Sequence, residues 1–208
     1  MSEISTHGYK CHCFLEWGDN NPIDIGKVED LAEIISTTKV REQSILQQWK
    51  DFTESAKQQE AINIVESRFW QTDAMYLYLS GHSEHEVFES NRRLMSVITE
   101  LDPVLIYLAP EDVEQLHTEV AKKRNEKWRE SGRDGSWEEW GNNVYEQQKW
   151  FTDRSLNSKS MARFFNEWVS IADRLYERFP FRKIKIQDPH IDWENTNRSI
   201  RDFLVGSQ

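Results

Sequence analysis

The chain has 208 residues, a formal net charge of −10, and 38% hydrophobic and 30% charged residues. This composition is typical of one folded domain, and the acidic balance argues against a general nucleic-acid-coating role, which needs a broad basic surface. No apolar run approaches the roughly 18 residues of a membrane helix, and the first residues contain no apolar signal core. We therefore expect a cytoplasmic protein that does not act at a membrane.

Four short apolar runs predict β-strands, at 9–16, 60–66, 104–108 and 182–186. Between them, apolar residues three and four apart predict helices at 28–35, 41–57, 69–79, 84–101, from 110, from 137, at 161–179 and at 193–204. Strands that alternate with helices favour right-handed crossovers and a mainly parallel sheet. We predict a single three-layer α/β domain over 1–208, with a mainly parallel sheet of about four strands and helices on both faces.

The two cysteines lie two residues apart in the first predicted strand. Cys11 and Cys13 therefore point to the same face, too close along one strand for an ordinary disulfide. His12 lies on the opposite face, which argues against a Cys-His-Cys metal site. We expect buried free thiols and assign no metal ligands.

Three segments of the chain, taken in order, share features with one group of enzymes. The first, 64–70, is an apolar strand that ends in Glu66-Ser67-Arg68, and the second, 101–113, runs from Asp-Pro through a strand to Pro-Glu. The third, 122–126, is a basic run on a helix. Together they resemble the thymidylate kinase and deoxynucleoside kinase group of P-loop NTPases, and 182–204 is similar to the final strand and closing helix of that group. That group carries Glu-Arg-Ser, so the last two residues are swapped in this chain.

The resemblance implies transfer of a phosphoryl group from ATP, with Mg²⁺, to a small hydroxylated acceptor such as a nucleoside or nucleotide. The phosphate-binding motif Gly-x-x-x-x-Gly-Lys-[Ser/Thr] is absent, however. Around the only Gly-Lys pair, Gly26-Lys27, Asn21 stands in the place of the first glycine and Val28 in the place of the hydroxyl residue. We expect no tight binding of ATP or Mg²⁺ to this chain and little activity as it stands.

The missing motif has a structural consequence. The resemblance implies that its strand comes first in the sequence and pairs in the middle of the sheet, between the strands at 60–66 and 104–108. Without it, two apolar strand edges are left unpaired. We expect that the segment lies ahead of a wrongly assigned start codon, that another chain fills the place, or that the strands rearrange to close it. We favour the first.

Three residues are candidates for catalysis. Glu16 ends the first strand, where the resemblance implies an acid that acts as base on the acceptor hydroxyl. Glu66 and Arg68 follow the second strand, at the edge where open α/β sheets bind ligands, and would orient the acceptor. The alternatives are a solvated acid at the end of a strand and a structural ion pair.

Two further sets are binding candidates. Lys123, Arg124 and Arg129 would form a phosphate-binding lid within a lid-like helical subdomain at 122–151, although a solvated charged helix has the same composition. Trp17, Trp70 and Tyr76 would form an aromatic acceptor pocket, although aromatics at helical spacing also form cores.

The sequence leaves the acceptor unidentified and a homodimer open. One alternative function is a non-catalytic relative of the fold that serves as a protein-interaction module. Another is an unrelated helical interaction protein.

Overall fold

The computed structural model describes residues 10–18 and 20–206, and it is a mixed α/β protein with parallel strands. Its strands are β1 (Lys10–Phe14), β2 (Ala61–Val65), β3 (Leu105–Ala109) and β4 (Lys183–Gln187). All four predicted strands are confirmed, and the part of the first prediction that covers Tyr9 lies outside the described residues. They form two parallel two-stranded sheets, β1–β2 and β3–β4, instead of the single sheet of about four strands that we predicted.

All the predicted helical segments are confirmed. The helices are α1 (Leu31–Ser36), α2 (Thr38–Lys57), α3 (Asp73–Leu79), α4 (Glu84–Ile98), α5 (Val113–Glu130), α6 (Trp137–Glu146), α7 (Lys149–Thr152), α8 (Met161–Arg178) and α9 (Trp193–Val205). Shorter 3₁₀ turns lie at Val28–Asp30, Thr99–Leu101 and Ser158–Ser160, and a π-helical turn spans Arg68–Thr72. Within the described part of the chain, no helix is long and apolar enough to cross a membrane.

Local sequence explains several helix starts. Ser83 and Glu86 form a reciprocal capping box at the start of α4. Asp112 and Asp192 are the N-caps of α5 and α9, and each accepts a hydrogen bond from a backbone N–H in the first turn.

The chain forms two compact units. The first contains 10–18 and 20–102 together with Val144–Leu156, and it includes β1 and β2. The second contains Pro103–Asn143 and 157–206, and it includes β3 and β4. The segment 122–151, which we predicted as a lid-like subdomain, is divided between the two units.

In the first unit, helices cover one face of the β1–β2 sheet. Phe14 and Val65 on this face pack against a buried apolar cluster formed by Ile23, Ile45, Trp49, Phe52, Ala56, Leu94 and Ile98. The other face carries Cys11, Cys13, Ile62 and Ile64, and the two isoleucines are 39% and 40% exposed. Both cysteines are free, as predicted, but they are half-buried instead of buried.

The second unit repeats this arrangement with different residues. One face of the β3–β4 sheet packs on α8, where the Tyr107 and Tyr176 ring centroids lie 5.8 Å apart and Lys185 pairs with Asp173 at 2.7 Å. The other face exposes apolar side chains, among them Leu108 at 42%. Each unit thus has one covered sheet face and one partly exposed apolar face, and among the described residues each of the four strands has one unpaired edge.

Candidate functional site

A cluster of polar side chains lies where β1 and β2 end. Glu16 follows β1 by two residues, and Arg68 follows β2 by three. Because the strands are parallel and in register, both segments leave the sheet at the same edge. This carboxyl edge is the place where open α/β sheets bind ligands.

The backbone after β2 turns in an unusual way to begin the cluster. Ser67 has a φ of 59°, in the left-handed region, and the π-helical turn Arg68–Thr72 follows it. The Thr72 N–H donates to the Ser67 carbonyl oxygen at 2.9 Å, which closes the turn. Such a conformation costs about 1–3 kcal/mol for a residue other than glycine, and π-turns are frequent at functional sites. The turn brings the Thr72 hydroxyl 2.8 Å from Glu16 Oε1.

The Arg68 guanidinium is fully buried, with 0% of the residue exposed. Its Nη2 lies 3.7 Å from Asp73 Oδ1, and none of its nitrogens makes a hydrogen bond with the described residues. Burial lowers the pKa of Arg68, and the negative charges of Asp73 and Glu16 oppose that change. Arg68 is therefore a buried cation whose charge is balanced by two nearby carboxylates.

Asp73 begins α3 and, like Thr72, was not among the site residues predicted from the sequence. Its Oδ2 accepts a hydrogen bond from Trp49 Nε1 at 3.0 Å, whereas its Oδ1 has no hydrogen-bond partner among the described residues. Burial raises the pKa of Asp73 to about 6, although Arg68 and the Trp49 bond favour the ionised form. An acid in the first turn of an aromatic helix was the available signal, but its ordinary explanation is a favourable helix-dipole position.

Two small cavities adjoin the cluster. The first has a volume of about 10 Å³ and the second about 20 Å³, and Asp73 lines both. The first has room for about one water-sized group. It can admit a hydroxyl but not a nucleoside. Its other lining residues are Ile25, Ile34, Thr38, Arg41, Ile45, Thr72 and Tyr76.

The other predicted site residues of the first unit, Glu66, Trp17, Trp70 and Tyr76, are either exposed or buried as core residues. Glu66 is exposed, and its backbone N–H donates to the Phe14 carbonyl oxygen at 2.9 Å, so it extends the strand pairing. Trp17 is exposed beside Glu16, whereas Trp70 is buried. Tyr76 is also buried, which raises its pKa, and it lines the smaller cavity. Trp70 and Tyr76 thus have the burial of core residues, and Tyr76 alone lines a cavity beside the cluster.

The predicted lid residues lie on α5 in the second unit, and all three are exposed. The Arg124 guanidinium stacks over the Trp137 ring at 4.9 Å, and Arg129 Nε donates to the Asn125 carbonyl oxygen at 3.3 Å. Lys123 is exposed on the same helix. The basic run is therefore partly held against the surface of its own helices.

The Gly26-Lys27 segment is not arranged as a phosphate-binding loop. The Gly26 N–H donates to Asp24 Oδ1 at 2.8 Å, and a 3₁₀ turn follows Lys27. A phosphate-binding loop instead follows a strand and opens a helix, with its N–H groups directed at the ligand. Nor do the described residues contain a group of three or more His, Cys, Asp or Glu side chains that could hold a metal ion.

Comparisons of the chain with protein-family models, with curated proteins and with solved structures find no match. The functional argument therefore rests on the residues and their geometry.

Proposed function

We propose that the chain is the larger part of a P-loop kinase-like domain that transfers a phosphoryl group from ATP to a small hydroxylated acceptor, such as a nucleoside or nucleotide. The observation that supports this function most is the joining of Glu16 and Arg68 in one cluster at the carboxyl edge of a parallel sheet. These two residues are distant in sequence, and the resemblance names both. Arg68 reaches the cluster even though its order with Ser67 is swapped.

The cluster suits the acceptor side of such a reaction. Glu16 would accept the proton of the acceptor hydroxyl, and the buried guanidinium of Arg68 would orient the Glu16 carboxylate through its charge. Phosphoryl transfer depends mainly on positioning and charge stabilisation, which a fixed, buried cation can provide. Glu66 and Trp17, at the same edge but exposed, would orient the body of the acceptor, whereas the burial of Trp70 and Tyr76 favours a role in the core over contact with the acceptor.

The unpaired edge of β2 is the second support. A strand that paired there in parallel would end at the same edge as Glu16 and Arg68. If that strand carried Gly-x-x-x-x-Gly-Lys-[Ser/Thr], its loop would place ATP and Mg²⁺ next to the cluster. The backbone N–H and C=O groups along that edge of β2 would then be paired. The role of Lys123, Arg124 and Arg129 as a lid over the phosphates stays a prediction from the resemblance.

The genomic sequence ahead of the Met1 codon provides the first test. An in-frame apolar strand followed by the phosphate-binding motif supports the proposal, and a stop codon directly upstream removes most of its basis. Calorimetry provides the second test. We expect the 208-residue chain to bind no ATP at millimolar nucleotide. Tight, Mg²⁺-dependent binding would show that these residues bind the phosphates themselves, and it would contradict the proposal that another segment carries the phosphate-binding loop.

The exposed apolar side chains favour a second candidate function, a non-catalytic relative that serves as a protein-interaction module. Ile62 and Ile64 in one unit and Ile106 and Leu108 in the other are each more than a third exposed. Substitutions separate the two functions. If Glu16→Gln leaves every activity of the protein unchanged while Ile64→Asp abolishes a binding interaction, the interaction module is the better explanation.

A further inference from the structure

The Thr72 hydroxyl lies between two acceptors. Its oxygen is 2.8 Å from Glu16 Oε1 and 3.0 Å from the Ser67 carbonyl oxygen. A hydroxyl has one proton, so Thr72 can donate to only one of these oxygens at a time. An ionised carboxylate is the stronger acceptor, because hydrogen bonds to a charged group are shorter and stronger than those between neutral groups. While Glu16 is ionised, the Thr72 proton therefore points to Glu16.

The fold holds Thr72 in this place. The residue is 1% exposed and ends the π-helical turn, whose closing hydrogen bond joins the Thr72 N–H to the Ser67 carbonyl oxygen. Its β-branched side chain has few rotamers, so little motion separates the hydroxyl from either acceptor. The left-handed backbone of Ser67 directs its carbonyl oxygen to the same side. The turn after β2 thus fixes a hydroxyl opposite the acid that follows β1.

We propose that Thr72 is a positioning residue that orients the Glu16 carboxylate and keeps it ready to take a proton, an inference that rests on the proposed role of Glu16. When the acceptor O–H bond breaks, the proton moves to Glu16 and a Glu16 O–H bond forms. Thr72 keeps its own proton and turns it to the Ser67 carbonyl oxygen. The Thr72 hydroxyl proton therefore points to Glu16 while Glu16 is ionised and to the Ser67 carbonyl oxygen once Glu16 is protonated. Thr72 itself neither gains nor loses a proton.

The test is the titration of the Glu16 carboxyl, followed by NMR in protein labelled at the glutamate side-chain carbon and assigned with Glu16→Gln. Arg68 on the π-turn and Asp73 and Tyr76 on α3 are the charged and titratable groups that act on this site. Since a hydrogen bond to a charged group contributes about 1.5–3 kcal/mol, we expect Thr72→Val to move the titration midpoint of Glu16 upward by about one pH unit. In Thr72→Ser, which keeps the hydroxyl, the Glu16 midpoint should differ from the wild-type value by no more than about a third of that shift.

Thr38→Val is the matched control. Thr38 is a buried threonine that lines the same cavity, but its hydroxyl donates to the Ile34 carbonyl oxygen. Its substitution should leave the Glu16 midpoint unchanged. An unchanged midpoint in Thr72→Val, or a serine variant that behaves like the valine variant, would overturn the proposal.

Two features keep the test decisive. If Thr72→Val does not fold, the wild-type protein supplies the measurement, because the Thr72 side-chain resonances should shift with the Glu16 midpoint, and their independence of it would overturn the proposal. The titration also needs neither nucleotide nor acceptor. If Thr72→Val shifts the Glu16 midpoint but the protein transfers no phosphoryl group, Thr72 still orients Glu16, and only the proposed reaction is contradicted.

Discussion

The two units have the same sheet arrangement, but their strands end in different chemistry. In both, a residue other than glycine adopts a left-handed backbone just after a strand, Ser67 after β2 and Asp188 after β4. Asp188 uses its carboxylate to accept the Glu111 N–H at 2.8 Å, which is a structural connection. Ser67 instead begins the turn that buries Arg68 beside two carboxylates. A strained turn alone therefore does not mark a site, whereas a fully buried cation that makes no hydrogen bond with the described residues does.

The largest difference between the units should appear when their cations are removed. Arg68→Met leaves Asp73 buried without its cation, and breaking a buried pair in this way costs about 3–5 kcal/mol. Lys185→Met removes the cation of the Lys185–Asp173 pair in the second unit, which is partly exposed, and should cost less than about 1 kcal/mol. Urea unfolding measures both. Equal losses would show that the Arg68 pair is not the special feature of the first unit.

A pH dependence should also separate the units. The pKa of Asp73 is raised to about 6 in the fold, so the folded state binds its proton more tightly than the unfolded chain does. Stability from this group is present at about pH 4 and is lost as the pH rises through 6, by about 1–3 kcal/mol in total. The difference between wild type and Asp73→Asn should follow that curve. A difference that does not change over this range would contradict the expectation.

A smaller effect is expected at the hydrogen bond from Trp49 to Asp73 Oδ2. Trp49→Phe removes the donor and part of the ring volume, so it should destabilise the first unit by about 1–3 kcal/mol. It should also raise the midpoint of Asp73, because a bond that favours the ionised form is lost. Carboxyl NMR measures the titration midpoint of Asp73. A lower midpoint in Trp49→Phe than in wild type would contradict the hydrogen bond from Trp49 to Asp73.

The smallest expected effect concerns helix capping, where the units should behave alike. Ser83→Ala at α4 and Asp192→Ala at α9 each remove one cap hydrogen bond, and each should cost about 1 kcal/mol. Thermal unfolding of the two variants checks this. A much larger loss at one cap would mean that the capped helix has a further role in that unit.

The sequence predicted the elements well because helix and strand signals are local. Apolar spacing and helix-start residues placed eight helices, although the short α7 was not distinguished from the helix predicted from 137. Short apolar runs placed all four strands close to their observed bounds. The pairing of strands was less accessible, since a strand's own residues do not say how many neighbours it has. This is why one sheet was predicted where two two-stranded sheets are found.

Only the part of the candidate site that has a local sequence signal was predicted. Glu16 and Arg68 stood out because each ends an apolar strand. The hydrogen bond from Thr72 to Glu16 spans 56 residues, and the Trp49–Asp73 bond spans 24, so both depend on tertiary structure. The left-handed Ser67 and the π-turn could not be predicted, because nothing in Glu66-Ser67-Arg68 requires them. Glu66 has the same local pattern as Glu16 and is nevertheless exposed.

The most direct test of the central claim is phosphoryl transfer from labelled ATP to a panel of small hydroxylated acceptors, with protein made from the complete genomic reading frame. The account predicts Mg²⁺-dependent transfer to at least one acceptor. It also predicts a loss of about 10²–10⁴-fold in Glu16→Gln, the usual contribution of a general base, with unchanged folding. No transfer to any hydroxylated acceptor, or a Glu16→Gln variant as active as wild type, would contradict it.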